Sequence, residues 1–264
     1  MTVRQPESVP EVGPESVPEV VAAVAAARWW GTHLREVRWQ AELVRLLADP
    51  VYQGTGVPRG DGAPVLLIPG FLAGDQSLSV LATFLRRIGH SPRRAGIAVN
   101  VRCSDTALDR LEQVLHHVHL RTGRPVALLG HSRGGHFAKA LAVRHPALVS
   151  QVITMGSGLD DPFAISEPTR LAVAGVRRVL HRQSPELAAK GCFTTACVCR
   201  YSDDFRGVFP STVPLTSIYS QGDGVVRWQA CVVPYARCVE VRGSHIGLAF
   251  NRHAYAEIAR TLAA

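Results

Sequence analysis

The stretch Val126-Ala127-Leu128-Leu129-Gly130-His131-Ser132-Arg133-Gly134-Gly135 constrains the fold of this chain more than any other. An unbroken apolar run of this length, rich in β-compatible residues, reads as a strand buried on both faces. Residues 136–144 carry Phe137, Ala138, Leu141 and Ala142 at helical spacing, so a helix follows almost at once. A strand that turns this sharply into a helix strains the backbone of the turn residue. Only small residues two before and two after it let the two elements pack. Gly130 and Gly134 meet that requirement around Ser132, whose hydroxyl is presented rather than buried. The same five residues in an ordinary loop are the competing reading, and the flanking strand and helix argue against it.

A presented hydroxyl becomes a nucleophile only beside a base, and the base needs an acid to orient it. Both follow in the chain. Residues 214–220 read as a strand that ends at Gln221-Gly222-Asp223-Gly224-Val225-Val226, where glycines on either side of Asp223 allow a tight turn that aims a carboxylate inward. Residues 236–242 read as a last strand, and Gly243-Ser244-His245-Ile246-Gly247 places His245 on the loop beyond it. Asp223 is the candidate acid and His245 the candidate base. A turn-forming aspartate and a helix-leading histidine are the structural alternatives. Asp203 and Asp204 are weaker acids because no strand clearly precedes them. A fourth element is the short buried strand of residues 63–68 with the loop Pro69-Gly70-Phe71-Leu72-Ala73-Gly74-Asp75. The N–H of Phe71, or of Leu72 if the loop is shifted by one, is expected to pair with the backbone N–H of Arg133 as an oxyanion hole.

Taken in order, Ile68-Pro69-Gly70-Phe71-Leu72-Ala73-Gly74-Asp75, Gly130-His131-Ser132-Arg133-Gly134-Gly135, Gly222-Asp223-Gly224-Val225-Val226 and Gly243-Ser244-His245-Ile246-Gly247 resemble the α/β-hydrolase superfamily. More narrowly, the chain looks like actinomycete-type serine esterases and lipases, over roughly residues 60–264. The resemblance implies an α/β fold: a mostly parallel central sheet with helices on both faces and a small cap, here with an N-terminal helical extension. It implies a Ser-His-Asp triad and an acyl-enzyme, with no cofactor and no metal. The expected reaction is acyl hydrolysis. Acyl transfer, thioester cleavage or cyclisation by the same triad, and a catalytically silent binding protein on this fold, are the alternatives. His131, Phe163 and Ile246 are candidate substrate-binding residues. Arg133 departs from the residues common after this serine; its guanidinium is expected to turn outward into an ion pair, with recognition of an acidic substrate group as the alternative.

The remaining sequence divides into three expected parts: a leader over residues 1–18, an extension over 19–55 and a catalytic domain over 56–264, with a cap insertion at about 159–213. Pro6-Glu7-Ser8-Val9-Pro10-Glu11-Val12 recurs eight residues later, and such a segment holds too little apolar surface to order itself. From Pro18 to Leu47 the pattern is helical, with Trp29, Trp30, Leu34, Leu43, Leu46 and Leu47 on the apolar side and Glu36 and Glu42 on the other faces. Trp29, Trp30 and Trp39 can seat in a membrane interface or a partner groove, but packing onto the chain's own body is the expectation.

The chain has 29 basic and 21 acidic residues, a net charge of +8, yet Lys139 and Lys190 are its only lysines. The arginines are scattered without interleaved aromatics, which argues against nucleic acid. A small-molecule or lipid-like acyl ester or thioester is the expected partner, and the basic surface admits an acidic carrier protein. No apolar stretch is long enough to span a bilayer and no export signal is read, so a cytoplasmic location is expected; the oligomeric state stays open. Among the six cysteines, Cys192, Cys197 and Cys199 lack the paired downstream motif of a zinc site, so metal binding is not expected. Free thiols, or a disulfide between Cys199 and Cys231, are. His116, His117 and His119 fall toward solvent on a helix whose core face is Leu108, Leu111, Leu115 and Val118.

Overall fold

The computed structural model describes residues 36–264; the acidic repeat, Trp29 and Trp30 lie outside them. Six strands, β1 (Pro64–Ile68), β2 (Ser91–Arg94), β3 (Val126–His131), β4 (Val149–Met155), β5 (Leu215–Tyr219) and β6 (Arg237–Glu240), form one sheet in the order β2-β1-β3-β4-β5-β6. Every neighbouring pair is parallel. Parallel neighbours require crossover connections, and helices on the two sheet faces cover the apolar side chains that alternate along each strand. The described residues hold eight α-helices: α1 (Trp39–Ala48), α2 (Ser79–Arg87), α3 (Ser104–Thr122), α4 (Arg133–Arg144), α5 (Glu167–Gln183), α6 (Pro185–Ala189), α7 (Arg200–Arg206) and α8 (Arg252–Leu262).

Alternation along β1 and β3 builds two cores. Leu66, Ile68 and Leu128 pack with Leu108 and Leu111 of α3, Phe137 and Leu141 of α4 and Phe205 of α7. Val65, Leu67 and Leu129 pack with Phe84 and Leu85 of α2, Leu46 of α1 and Tyr255 and Ile258 of α8. The unbroken apolar runs in the sequence therefore mark strands covered on both sides. β2 carries no such run: Ser91, Pro92, Arg93 and Arg94 occupy an edge, where a proline without a ladder N–H is tolerated.

The chain leaves β1 toward β2 on one side and leaves β3 toward β4 on the other. The strand order thus reverses between the carboxyl ends of β1 and β3, the place where open α/β sheets leave a crevice. The segment between β4 and β5 supplies α5, α6 and α7 and forms a lid over that crevice. Val176 and Leu180 of α5 pack on Val101, Phe71 and Leu72. α7 is tied down by Arg144, whose buried guanidinium meets Asp204 at 2.5 Å, Glu112 at 2.6 Å and Asp109 at 3.1 Å. That ion cluster accounts for Asp204 and removes it from the acid candidates.

α1 docks on the chain's own body, as expected for Trp39: its ring lies 5.7 Å from that of Phe250, and Leu46 is fully buried. The face it buries is not the one expected. Leu47 and Val44 are exposed, whereas Glu36, just before α1, and Glu42 within it are buried. Hydrogen bonding, not apolar burial, fixes the rotation of this helix, as the site geometry shows. No helix among the described residues is long and apolar enough to cross a membrane.

Candidate active site

Ser132 sits between β3 and α4 with φ 53° and ψ −123°, a conformation that a non-glycine residue holds only under strain. Its surroundings impose that geometry. The Ser132 N–H donates to the Met155 carbonyl at 2.8 Å, and the Ser132 carbonyl accepts from Ser157 Oγ at 2.8 Å. A Cβ on Gly134 would strike the Ile68 carbonyl, and one on Gly130 would strike the backbone of Gly134 and Gly135, so both glycines are sterically required.

Asp223 follows β5 and is held by its own turn: Oδ1 accepts the N–H groups of Val225 at 2.8 Å and Val226 at 2.7 Å. The other oxygen, Oδ2, lies 2.6 Å from Nδ1 of His245. Both side chains are almost completely enclosed. The imidazole, donating from Nδ1, therefore presents Nε2 away from the acid. Burial pushes the His245 pKa down, but the charge and hydrogen bond of Asp223, joined by the charge of Glu36, outweigh it and leave the pKa raised above 6.5. β4 ends close by at Gly156, where a Cβ would come within 3.0 Å of His245 Nδ1 and 3.1 Å of Asp223 Oδ2. Ser132 and His245 line one cavity of about 610 Å³.

Both main-chain groups of His245 are clamped. Its N–H donates to Glu36 Oε1 at 3.0 Å, and its carbonyl accepts from Nε2 of His131 at 2.9 Å. Glu36 also accepts from Gly224 at 3.1 Å and from Ile246 at 2.8 Å, so one carboxylate ties the acid loop to the base loop. Glu42 takes the next residue, accepting from Ser244 N–H at 3.0 Å and Ser244 Oγ at 2.8 Å. These two carboxylates reach across more than 200 residues of sequence, which is why no local pattern announces them. His131 is held neutral, its pKa pushed down to about 4 by burial and then by the charge of His245. His131, a candidate substrate contact, lines the cavity and also holds the loop of His245 through Nε2. Phe163 and Ile246 line the cavity wall.

The loop after β1 brings Phe71 and Leu72 into the cavity with Ser132, and a Cβ on Gly70 would lie 3.1 Å from that of Ser132. The Leu72 N–H donates to the Asn100 carbonyl at 3.2 Å and is thereby engaged. Asn100 organises this corner: its Nδ2 donates to the Pro69 carbonyl at 2.8 Å and its Oδ1 accepts from Arg133 at 2.9 Å.

Arg133 departs from the expectation of an outward ion pair for its side chain, though it does line the cavity. Instead of turning outward, the guanidinium is buried, donating to Asn100, to the Arg102 carbonyl at 2.8 Å and to Ser104 Oγ at 3.2 Å, between the rings of Phe137 and Phe193. No carboxylate pairs with it among the described residues, and burial lowers its pKa to about 10. Cys199 and Cys231 do not approach each other: Cys199 Sγ has Cys197 at 2.8 Å and Cys192 at 3.5 Å, and all six cysteines are free. His116 and His117 are exposed on α3, as expected.

No family model and no curated protein sequence matches the chain. Solved structures do. A soluble variant of the monoglyceride lipase of Saccharomyces cerevisiae matches with a TM-score of 0.53 at 17% identity, over 78% of this chain and 89% of that one. A Bacillus licheniformis lipase in its mature form matches with a TM-score of 0.52 at 13% identity, over 78% and 94%. The monoacylglycerol lipase of Paleococcus ferrophilus matches with a TM-score of 0.51 at 14% identity, over 78% and 97%. This chain has the α/β-hydrolase fold. In α/β-hydrolase terms, the loops after β1, β3, β5 and β6 converge on one crevice, and each carries one of the four motifs read from the sequence.

Proposed function

We propose that the chain is a serine acyl hydrolase of carboxylesterase or lipase type. The observation that carries this reading is the 2.6 Å contact between Asp223 and His245, whose side chain lines the same cavity as a strained Ser132. His245 Nε2 takes the proton of Ser132 Oγ as that oxygen attacks an ester carbonyl, and Asp223 stabilises the imidazolium that forms. The backbone N–H groups of Phe71 and Arg133 receive the developing oxyanion; losing one such donor costs about 3–4 kcal/mol elsewhere. Phe71 is favoured over Leu72 because the Leu72 amide is already engaged. His245 returns its proton to the leaving alcohol, and water, activated by the same imidazole, releases the acid from the acyl-enzyme.

The cavity argues for an apolar acyl group. Trp39, Phe163, Ile165, Val173, Phe193 and Phe250 supply its walls. Its volume of about 610 Å³ falls in the range of pockets that bury most of a small ligand. One polar atom stands out: Nε2 of His136 is buried without a partner, on a residue that lines the cavity. The wall also carries polar side chains, among them Ser77, Asp161, Thr169 and Thr194.

Intact-mass measurement of wild type and Ser132→Ala after fluorophosphonate treatment, with turnover of p-nitrophenyl esters of graded chain length, tests this reading. Labelling of wild type alone with fast turnover supports the hydrolase and sizes its acyl pocket. Labelling with negligible turnover points instead to an acyltransferase or cyclase awaiting its acceptor. Absence of labelling overturns the nucleophile and leaves a binding protein on this fold.

A further inference from the structure

Cysteines far apart in the sequence meet under the lid. Cys103, on the loop entering α3, lies 2.9 Å from Cys192, and Cys192 lies 3.5 Å from Cys199. The three thiols are buried and all lie within 4.8 Å of one another, and Cys197 touches Cys199 at 2.8 Å. Spacing alone argued against a metal because Cys192, Cys197 and Cys199 lack a paired partner downstream. The fold supplies the missing ligand from 89 residues upstream.

We propose that Cys103, Cys192, Cys197 and Cys199 form a tetrahedral thiolate site for a soft d10 cation, zinc in the first instance, that pins the lid to the core beside the nucleophile. Four thiolates at about 2.3 Å from one zinc ion stand roughly 3.7–3.8 Å apart. The Cys192–Cys199 separation is already near this, and the two shorter contacts reach it by opening about 0.9 Å; Cys197, which touches Cys199 but stands outside the 4.8 Å set of the other three, completes the tetrahedron by turning its side chain inward. Disulfides would instead require both short contacts to close to about 2.0 Å. The second of them would then bridge Cys197 and Cys199 across a single residue.

Charge supplies an independent argument. Four thiolates around a divalent ion carry a net charge of −2. The buried Arg133 guanidinium interacts electrostatically with Cys103 and Cys192 and has no carboxylate partner among the described residues. An anionic metal centre supplies the counter-charge that this burial otherwise lacks. The lid's need for a clasp is a third. Around the cysteines only Leu187 and Phe193 add apolar packing, too small a cluster to hold a loop by burial alone. Phe193, next to Cys192, nevertheless holds a left-handed backbone at φ 62° and stacks over Arg133 at 4.6 Å. A clasp at Cys192 keeps that strained ring in place, and through it the wall of the cavity.

The test is metal content, read on the full chain without reference to its activity. Protein purified without chelators is expected to contain about one zinc per chain, released in step with modification of its thiols. Cobalt replacing zinc is expected to give the intense visible ligand-field bands and the near-ultraviolet sulfur-to-cobalt charge transfer of a tetrahedral thiolate site. Cys192→Ser and Cys199→Ser should abolish both signals, while Cys231→Ser and Cys238→Ser keep them. Should the first pair fail to fold, the wild-type stoichiometry and cobalt spectrum still decide. Wild type that binds neither ion in stoichiometric amount overturns the site, whether Ellman's reagent then finds six free thiols or only the number left by disulfides.

Discussion

A carboxylate that accepts three backbone N–H groups fixes geometry and charge together, and Glu36 does both for the base loop. Its charge is one of the influences that raise the His245 pKa above 6.5. Under the proposed mechanism, catalysis needs neutral His245, so the acid limb of kcat/KM should lie above pH 6.5. Glu36→Gln keeps the side-chain shape and removes the charge. The acid limb should then move to lower pH, with kcat reduced more than KM. A pH profile of the variant that superimposes on wild type apart from its height would reduce Glu36 to a structural tie. Gly247→Ala probes the neighbouring carboxylate: its Cβ would run into Glu42, expelling it from Ser244 and loosening the same loop. The variant should bind fluorophosphonate at least tenfold more slowly than wild type while staying folded, read by labelling kinetics beside circular dichroism. Neither Glu36 nor Glu42 was legible as a site residue. Glutamates on a helical stretch read as its wet face, and only the fold brings the His245 loop over them. Ser132, Asp223 and His245 were legible because each lies in a glycine-containing turn shortly after a segment that reads as a strand.

At the scale of elements, α1 is more than an appendage, because its one fully buried side chain and its carboxylate serve different ends. Leu46 packs into the core shared with α2 and α8, while Glu42 orients the loop after β6. Leu46→Ala should lower stability by about 2–5 kcal/mol, measured by urea unfolding, with little change in kcat for the molecules that remain folded. Glu42→Gln should show the reverse pattern, and equal effects of the two on stability and rate would dissolve the division of labour. Of the strands that carry the site, β1 and β3 were legible because a strand covered on both faces must be apolar nearly throughout. β2 was not: at the sheet edge, four residues with two arginines and a proline satisfy the ladder without any hydrophobic alternation. The cap was read only as an insertion at about residues 159–213, and its helices, among them the 17-residue α5, appear only in the fold. The side chain of Arg133 was misread for a related reason. Sequence shows a guanidinium after the serine but not the carbonyls of Asn100 and Arg102 that receive it.

For the whole molecule, burying His131 and His136 has a cost in acid. His131 and His136 are both held neutral by burial, with pKa values pushed down to about 4 and about 3. In the unfolded chain each regains a value near 6.5. Between pH 6.5 and 4 the unfolded state therefore binds more protons than the folded state, so stability falls as pH is lowered through that window. Together the two groups should remove on the order of 5 kcal/mol between pH 7 and pH 4, a large share of what a single domain possesses. His245 works in the opposite sense. Its raised pKa stabilises the folded state fully below 6.5, and that contribution fades as pH rises through the folded value, so it offsets part of the loss. His136 separates these contributions, since its Nε2 has no partner and its ring stands edge-on to that of Phe205 at 5.3 Å. His136→Leu should make urea-derived stability depend less steeply on pH below 6.5, by close to one proton, while leaving stability near pH 8 within about 1 kcal/mol of wild type. An unchanged slope would mean that His136 takes up its proton in the folded state, through solvent entering the cavity, and that the apolar wall proposed for the acyl chain is wetter than its lining implies.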